Sequence, residues 1–450
     1  MVFGLLKLLA LPAFVLHPHN GWRCGIFHCA RPATGTWHRG LKGAYEVALR
    51  KLRARREPRW PCQRLTVMDI QPQPHETNRP TSPITPYPSA ELLRSPAQLI
   101  ASIPAALGYF PNESVVLINA YSPPGTSPTL EIGAYLDADV GNTESIQRAL
   151  QRIPLVRHVA TFAVIVTRVP ESQMVAVAAE GLRMAADAFG EIVEACWIVS
   201  EVADGTHYQL LFGPDPDTAS AVWEWSADYE HGTVTSVAAA KPMRPLIDHG
   251  VLPELHKSEV FTHFEPVHEP DVETGETLAP AAHRRGAELF KLVKKAPELA
   301  RGPITRACAA YAAAPNARLI DTEGSLIIDD VFPSHDVVEL FAAMLSGSRL
   351  RDFLIVDALE RPRAAGAVLL TIARNFSGEI RANALCLWAM VALSQGLIGW
   401  ANAALACAEG EVPGHNLSGL LGSVMDIGQG HSLLELCRQG CLETWSELER

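Results

Sequence analysis

The chain has 450 residues, 48% apolar and 19% charged, with a net charge of −11, a composition that suits two or three globular domains. Twelve Lys or Arg face two acids in residues 1–67, leaving 26 against 47 in the rest, a net −21. An acidic body lacks the cations for broad phosphate-backbone contact, so no nucleic-acid partner is expected; with no apolar run of about eighteen residues, no membrane partner is expected either.

The first 67 residues read as a basic leader. Its apolar stretch Leu8–Leu16 contains Pro12, Lys7 stands beside it, and no small-x-small cleavage site follows, so it is not a signal peptide. "LRKLRARREPRWP" has no matching apolar face; it suits an anionic-surface tail or a segment that does not fold. Met68 opens a Pro-rich tail, 68–90, of the kind that precedes a domain. Translation is expected to start at Met68.

Residues 91–250 read as an α/β domain, a mixed sheet covered by helices. Ser95-Pro96 is a helix start and Gly108 its stop. "SVVLINAY" (114–121) is a β-branched run for a strand buried on both faces. "TLEIGAYLDAD" (129–139) alternates as a strand and pairs with it as a hairpin. A helix over 143–153, with Thr143 as cap, leads to a third strand at 158–168. Then come a helix over 171–190, a fourth strand at 191–201 and a fifth at 206–213. Ligands gather at the carboxyl ends of parallel strands, which here carry Asp137, Asp139, Thr167, Arg168, Ser200 and Glu201. Asp137 and Asp139 point to one face: a metal or acid–base pair, or strand-end solvation with capping of the next helix. Arg168 suits an anionic group, or pairs with either aspartate. The loop "LGYFPNES" (107–114) reads as an entry device at the amino end of the first strand, away from the ligand edge.

Residues 251–282 read as a linker. His256, His263, His268 and His283 fall in or beside it, but His263 and His268, five apart across a proline, do not share a helix face, so no metal site is expected. From 283 to 440 the period becomes 3.6, predicting an all-α domain. In "ANALCLWAMVALSQGLIGWANAALACAEGEVP", Ala389, Gly396, Ala401, Ala408 and Pro413 have the spacing of one tetratricopeptide-like hairpin, though solenoids need at least about three repeats; an ordinary helical hairpin explains it as well. Arg351 and Asp352 are adjacent and do not face each other on a helix; they are candidates to bind separate partners or to pair at a domain interface. Nine cysteines are scattered. Cys437 and Cys441, one turn apart, read as a half-buried helix face or as a metal or redox pair, with no second pair to complete a zinc site, and reduced thiols fit a cytoplasmic protein. P-loop, Gly-x-Gly-x-x-Gly and Gly-x-Ser-x-Gly signatures are absent, so no cofactor is expected.

Two stretches carry a resemblance. Leu107, Gly108, Pro111 and Ser114, before a Val-rich strand, and Arg351-Asp352, Trp388, Gly396 and Ala401 resemble the actinobacterial family called domain of unknown function 4192. The likeness covers about 92–440 and implies a high-GC actinobacterial source. It brings no activity and no catalytic residue. Two readings follow: a ligand- or protein-binding, regulatory protein with an unknown protein or small-molecule partner, or an enzyme with an acidic site at the strand ends. Asp137, Asp139, Arg168, Arg351 and Asp352 are the candidate binding residues; whether any is catalytic is open.

Overall fold

The computed structural model describes residues 95–121, 131–153, 158–189, 193–214, 228–267, 271–320 and 327–449. The leader, the Met68 start and the Pro-rich tail lie outside the described residues, which belong to one compact unit.

Helix α1, Pro96–Leu107, opens with Ser95 as cap and Pro96 in its first turn. It ends where Gly108 turns left-handed at φ +85° and its N–H bonds to the Pro104 carbonyl, a conformation that glycine adopts without steric cost. Strands β1 (Ser114–Tyr121) and β2 (Glu131–Asp139) pair antiparallel. Helix α2, Thr143–Gln151, is capped by Asn142, whose Oδ1 accepts from the Ser145 N–H. The cap is thus one residue earlier than expected, because an amide reaches the third residue on as well as a hydroxyl does. Next come β3 (His158–Val166), α3 (Gln173–Phe189), β4 (Val193–Val199) and β5 (His207–Phe212). A three-residue strand, β6 (His231–Thr233), completes the order β2-β1-β3-β4-β5-β6.

Directions within this sheet position the site. The chain crosses from β2 through α2 to β3 past β1. It leaves β1 antiparallel to both neighbours, while β3 and β4 are parallel. So β2, β3 and β4 all point their carboxyl ends to one edge, and the amino end of β1 arrives there too. The entry loop was expected at the opposite edge; the reversal of β1 places it at the ligand edge instead.

The sheet is buried on both faces by period-two alternation. Val115, Leu117, Ala163, Ile165 and Cys196 pack with Ile146 of α2 and Val175 and Leu182 of α3. Val116, Ile118, Phe162, Val164 and Trp197 face α1 and continue into the core of the helical half. Trp197 donates its indole N–H to the Tyr229 carbonyl, which satisfies its one polar atom.

The stretch expected as a linker contains helix α4, Lys257–Thr262, and the first half of α5, Asp271–Lys295. Helix α5 runs through Pro280. There follow α6 (Pro297–Cys308), α7 (His335–Leu345), α8 (Pro362–Asn375), α9 (Gly378–Ser394), α10 (Ile398–Glu411), α11 (Asn416–Asp426) and α12 (Gly430–Glu449). Helix α9 is the axis: every residue from Ile380 to Ala392 is buried, Arg381 and Asn383 being its polar members, as expected of a helix packed on all sides. No helix among the described residues is long and apolar enough to cross a membrane. Cys437 and Cys441 are fully buried on α12. Burial pushes their thiols up, to about 12 and about 11, so both are protonated core residues rather than a reactive pair.

At Gly399 the two halves meet backbone to backbone. A Cβ there would stand 2.3 Å from the Leu107 carbonyl carbon and 2.5 Å from the Gly108 nitrogen. These are backbone atoms, which cannot rotate away. Gly399→Ala is expected to cost about 1–3 kcal/mol through overpacking, read by denaturant unfolding. An unchanged midpoint would show that the helices separate without penalty.

Candidate functional site

The loop Gly108–Glu113 places two side chains at the ligand edge. Tyr109 donates its hydroxyl to Asp137 Oδ2 at 2.8 Å, and Lys257 Nζ from α4 reaches the same oxygen at 2.8 Å. Asp137 is 7% exposed as a side chain. Its Oδ1 is buried and takes no hydrogen bond, so one acceptor of a buried carboxylate is left over. Burial, and then the Asp137 charge, push the Tyr109 phenol far above its ordinary value, so it stays a donor.

Glu113 is the second. Its φ of +46° is left-handed, and it is the one non-glycine residue there among the described residues. Such a backbone persists where surroundings hold it. Here the carboxylate does so, accepting from the Thr167 hydroxyl at 2.6 Å and the Arg168 N–H at 3.0 Å. It ties the start of β1 to the end of β3.

The sequence candidates divide. Asp139 is exposed and accepts the Gly141 N–H at 2.7 Å within the turn before α2. It and Asp137 share a sheet face, opposite Ser114 and Val116, but their carboxylates go to different partners. Arg168 pairs with Glu201 at 3.1 Å, with neither aspartate, and both groups are exposed. Arg351 and Asp352 lie in the helical half, away from the strand ends in sequence and in the fold. Contrary to expectation they do face each other: Arg351 Nη2 is 2.9 Å from Asp352 Oδ1. A helical turn ends at Arg351 and a 3-10 turn begins at Asp352, and the long guanidinium folds back across the change.

Beside this edge lies a groove of about 890 Å³, within the range of roughly 300–1,000 Å³ common for ligand sites. Thr167 and Ser200, after the parallel strands, line one side, with His207, Gln209, His231 and Thr233 on the β5–β6 hairpin. Ile198, Gln209 and His231 stand in register across three strands, and His207 is opposite Thr233. Helix α2 packs on β1 and β2 and α3 on β4, which leaves Ser200, His207, Gln209, His231 and Thr233 exposed. Thr167, held by Glu113, joins the strained loop to the groove.

A model of the family described as Domain of unknown function (DUF4192) matches residues 96–430. That span starts with α1 and ends at the first residue of α12, taking in the entry loop, the sheet and the helical core. The chain belongs to this family. No curated protein and no solved structure matches it. Within this DUF4192 chain, the residues that sequence reasoning missed are Tyr109, Glu113, Lys257, His207 and His231. Tyr109 and Glu113 lie in the entry loop, which the expected hairpin of β1 with β2 already sends to the carboxyl end of β2, although the loop was expected at the other edge. Lys257 lies 120 positions from Asp137, and β6 is too short to show a period.

Glu113→Ala is expected to cost about 1–3 kcal/mol, because the buried Thr167 hydroxyl loses its acceptor. Glu113→Gly is expected to recover up to about 1 kcal/mol of that through backbone freedom. Arg168→Ala, at an exposed pair, is expected to cost under about 1 kcal/mol. Urea unfolding of the three variants reads the order; Arg168→Ala as costly as Glu113→Ala would contradict it.

Proposed function

We propose that the protein is a binding or regulatory protein whose small-molecule ligand seats in the groove beside the carboxyl ends of β3 and β4. The position of the groove carries this reading. It lies where open sheets take ligands, and its wall offers hydroxyls, an amide and two imidazoles rather than a reactive dyad. Such groups fix the orientation of a polar ligand by hydrogen bonds. The helical half serves as the base on which the entry loop rests. With Ile380 to Ala392 of α9 all buried, the α9–α10 hairpin has little free face for a peptide, which favours the groove over a tetratricopeptide-like surface.

One observation supports a second reading, an acidic enzyme site. Asp137 is a buried carboxylate with a free oxygen, a tyrosine hydroxyl and a lysine, the ingredients of proton transfer once a substrate reaches them. Arg168 and Asp139 are proposed there only as rim contacts for a charged substrate.

A thermal-shift screen of the full chain against metabolites separates the two. A groove ligand at a hundred times its dissociation constant is expected to add about 2.7 kcal/mol of stability. The His207→Ala/His231→Ala double variant is expected to weaken it at least about tenfold, which is about 1.4 kcal/mol, with the unliganded melting temperature unchanged. A ligand whose affinity ignores both histidines but falls with Asp137→Asn would favour the enzyme reading. No stabilising compound at all would overturn the small-molecule reading.

A further inference from the structure

Helix α11 begins with an unusual cap. The cap residue is His415, whose Nδ1 accepts the Ser418 N–H at 3.3 Å. Caps are normally Ser, Thr, Asp or Asn, whose oxygens stay acceptors near neutral pH. A histidine caps only while Nδ1 keeps its lone pair.

The surrounding bonds fix its tautomer. Asn383 donates its amide to the Leu345 carbonyl at 2.8 Å, which turns its Oδ1 toward Arg351 Nη1 at 2.6 Å and His415 Nε2 at 3.2 Å. That oxygen only accepts, so Nε2 carries the proton and Nδ1 is bare. Cys386 Sγ lies 3.7 Å from Nδ1. Burial holds its thiol up at about 12, so it too presents a hydrogen. Two donors thus converge on Nδ1, and a proton there finds only the weakly accepting Cys386 sulfur.

The opposite end of α11 grips the sheet. Asp426 takes a two-pronged contact from Arg152, just past the end of α2. Asn119 of β1 donates to the Asp426 carbonyl, and the Tyr121 hydroxyl donates to the Gly428 carbonyl at 2.9 Å. One helix therefore joins the histidine cap to the sheet that carries the groove.

We propose that His415 is a proton-operated cap: protonation at Nδ1 expels the Ser418 N–H and the Cys386 thiol, frays the first turn of α11 and loosens its seat on β1. The groups facing the ring are Glu379 and Cys386 of α9, Glu409 of α10 through Ser418, and Arg351 before the 3-10 turn. Burial, with Arg351, opposes the imidazolium, and Glu379 and Glu409 favour it; burial dominates and lowers the His415 value. A lowered folded value means that the cap's contribution is complete above about 6.5, the ordinary histidine value. It is lost as pH falls below that, down to the folded value.

Amide exchange of the full chain between pH 7.5 and 5, corrected for intrinsic rates, tests this. Protection over residues 417–421 is expected to fall with pH, approaching tenfold per unit below about 6.5. His415→Asn keeps an acceptor without a titrating group and is expected to remove that dependence. Nitrogen-15 shifts of the wild-type ring, expected to show an Nε2–H tautomer at pH 7.5, serve even where the variant folds poorly. A pH-independent first turn, the Nδ1–H tautomer, or the same dependence in a folded His415→Asn would overturn the proposal.

Discussion

The backbones of Leu107–Gly108 and Gly399 lie close enough to exclude any side chain between them. That contact seats the helical half on the end of α1. Its consequence runs forward along the chain. With Leu107 fixed, the left-handed Gly108 sends the next residues along an extended neighbour: Phe110 donates to the Glu254 carbonyl and Glu254 to the Gly108 carbonyl. Tyr109 and Glu113 then fall where β2 and β3 end. A buried contact between the helical half and α1 thus decides which groups stand at the edge of the sheet.

The interactions gathered at that edge are unequal. Glu113 satisfies a fully buried hydroxyl and an N–H with one carboxylate, and bonds to a charged acceptor are the stronger kind. The Arg168–Glu201 pair spans solvent and adds little. Asp137 lies between: a buried charge with two good donors on one oxygen and none on the other. An unused acceptor in a buried position is costly, so this corner is the least settled polar group of the sheet end. The adjacent groove is instead a solvated strip, made where the covering helices stop.

Much of the fold was legible because it rests on local periods. "SVVLINAY" could only be a doubly buried strand, and the helical half declared itself by its 3.6 repeat. Gly108 and Ser95-Pro96 marked the bounds of α1 through backbone chemistry alone. Direction was legible in part. The hairpin of β1 with β2 already makes β1 antiparallel, so its amino end meets the carboxyl end of β2; placing the entry loop at the far edge does not follow from that pairing. Pairings between distant segments were hidden: Lys257 with Asp137, and His415 with Asn383, depend on docking rather than on spacing.

Sheet and helical half form one compact unit, joined through α1, α10 and α11. The direct measurement is hydrogen exchange by mass spectrometry across a denaturant series, following β1 and β3 on one side and α9 on the other. Residues 114–121, 158–166 and 378–394 are expected to lose protection together, with one midpoint and one dependence on denaturant. Loss of protection in the strands while α9 stays protected would contradict it, because the sheet would then open without breaking the contact at Gly399.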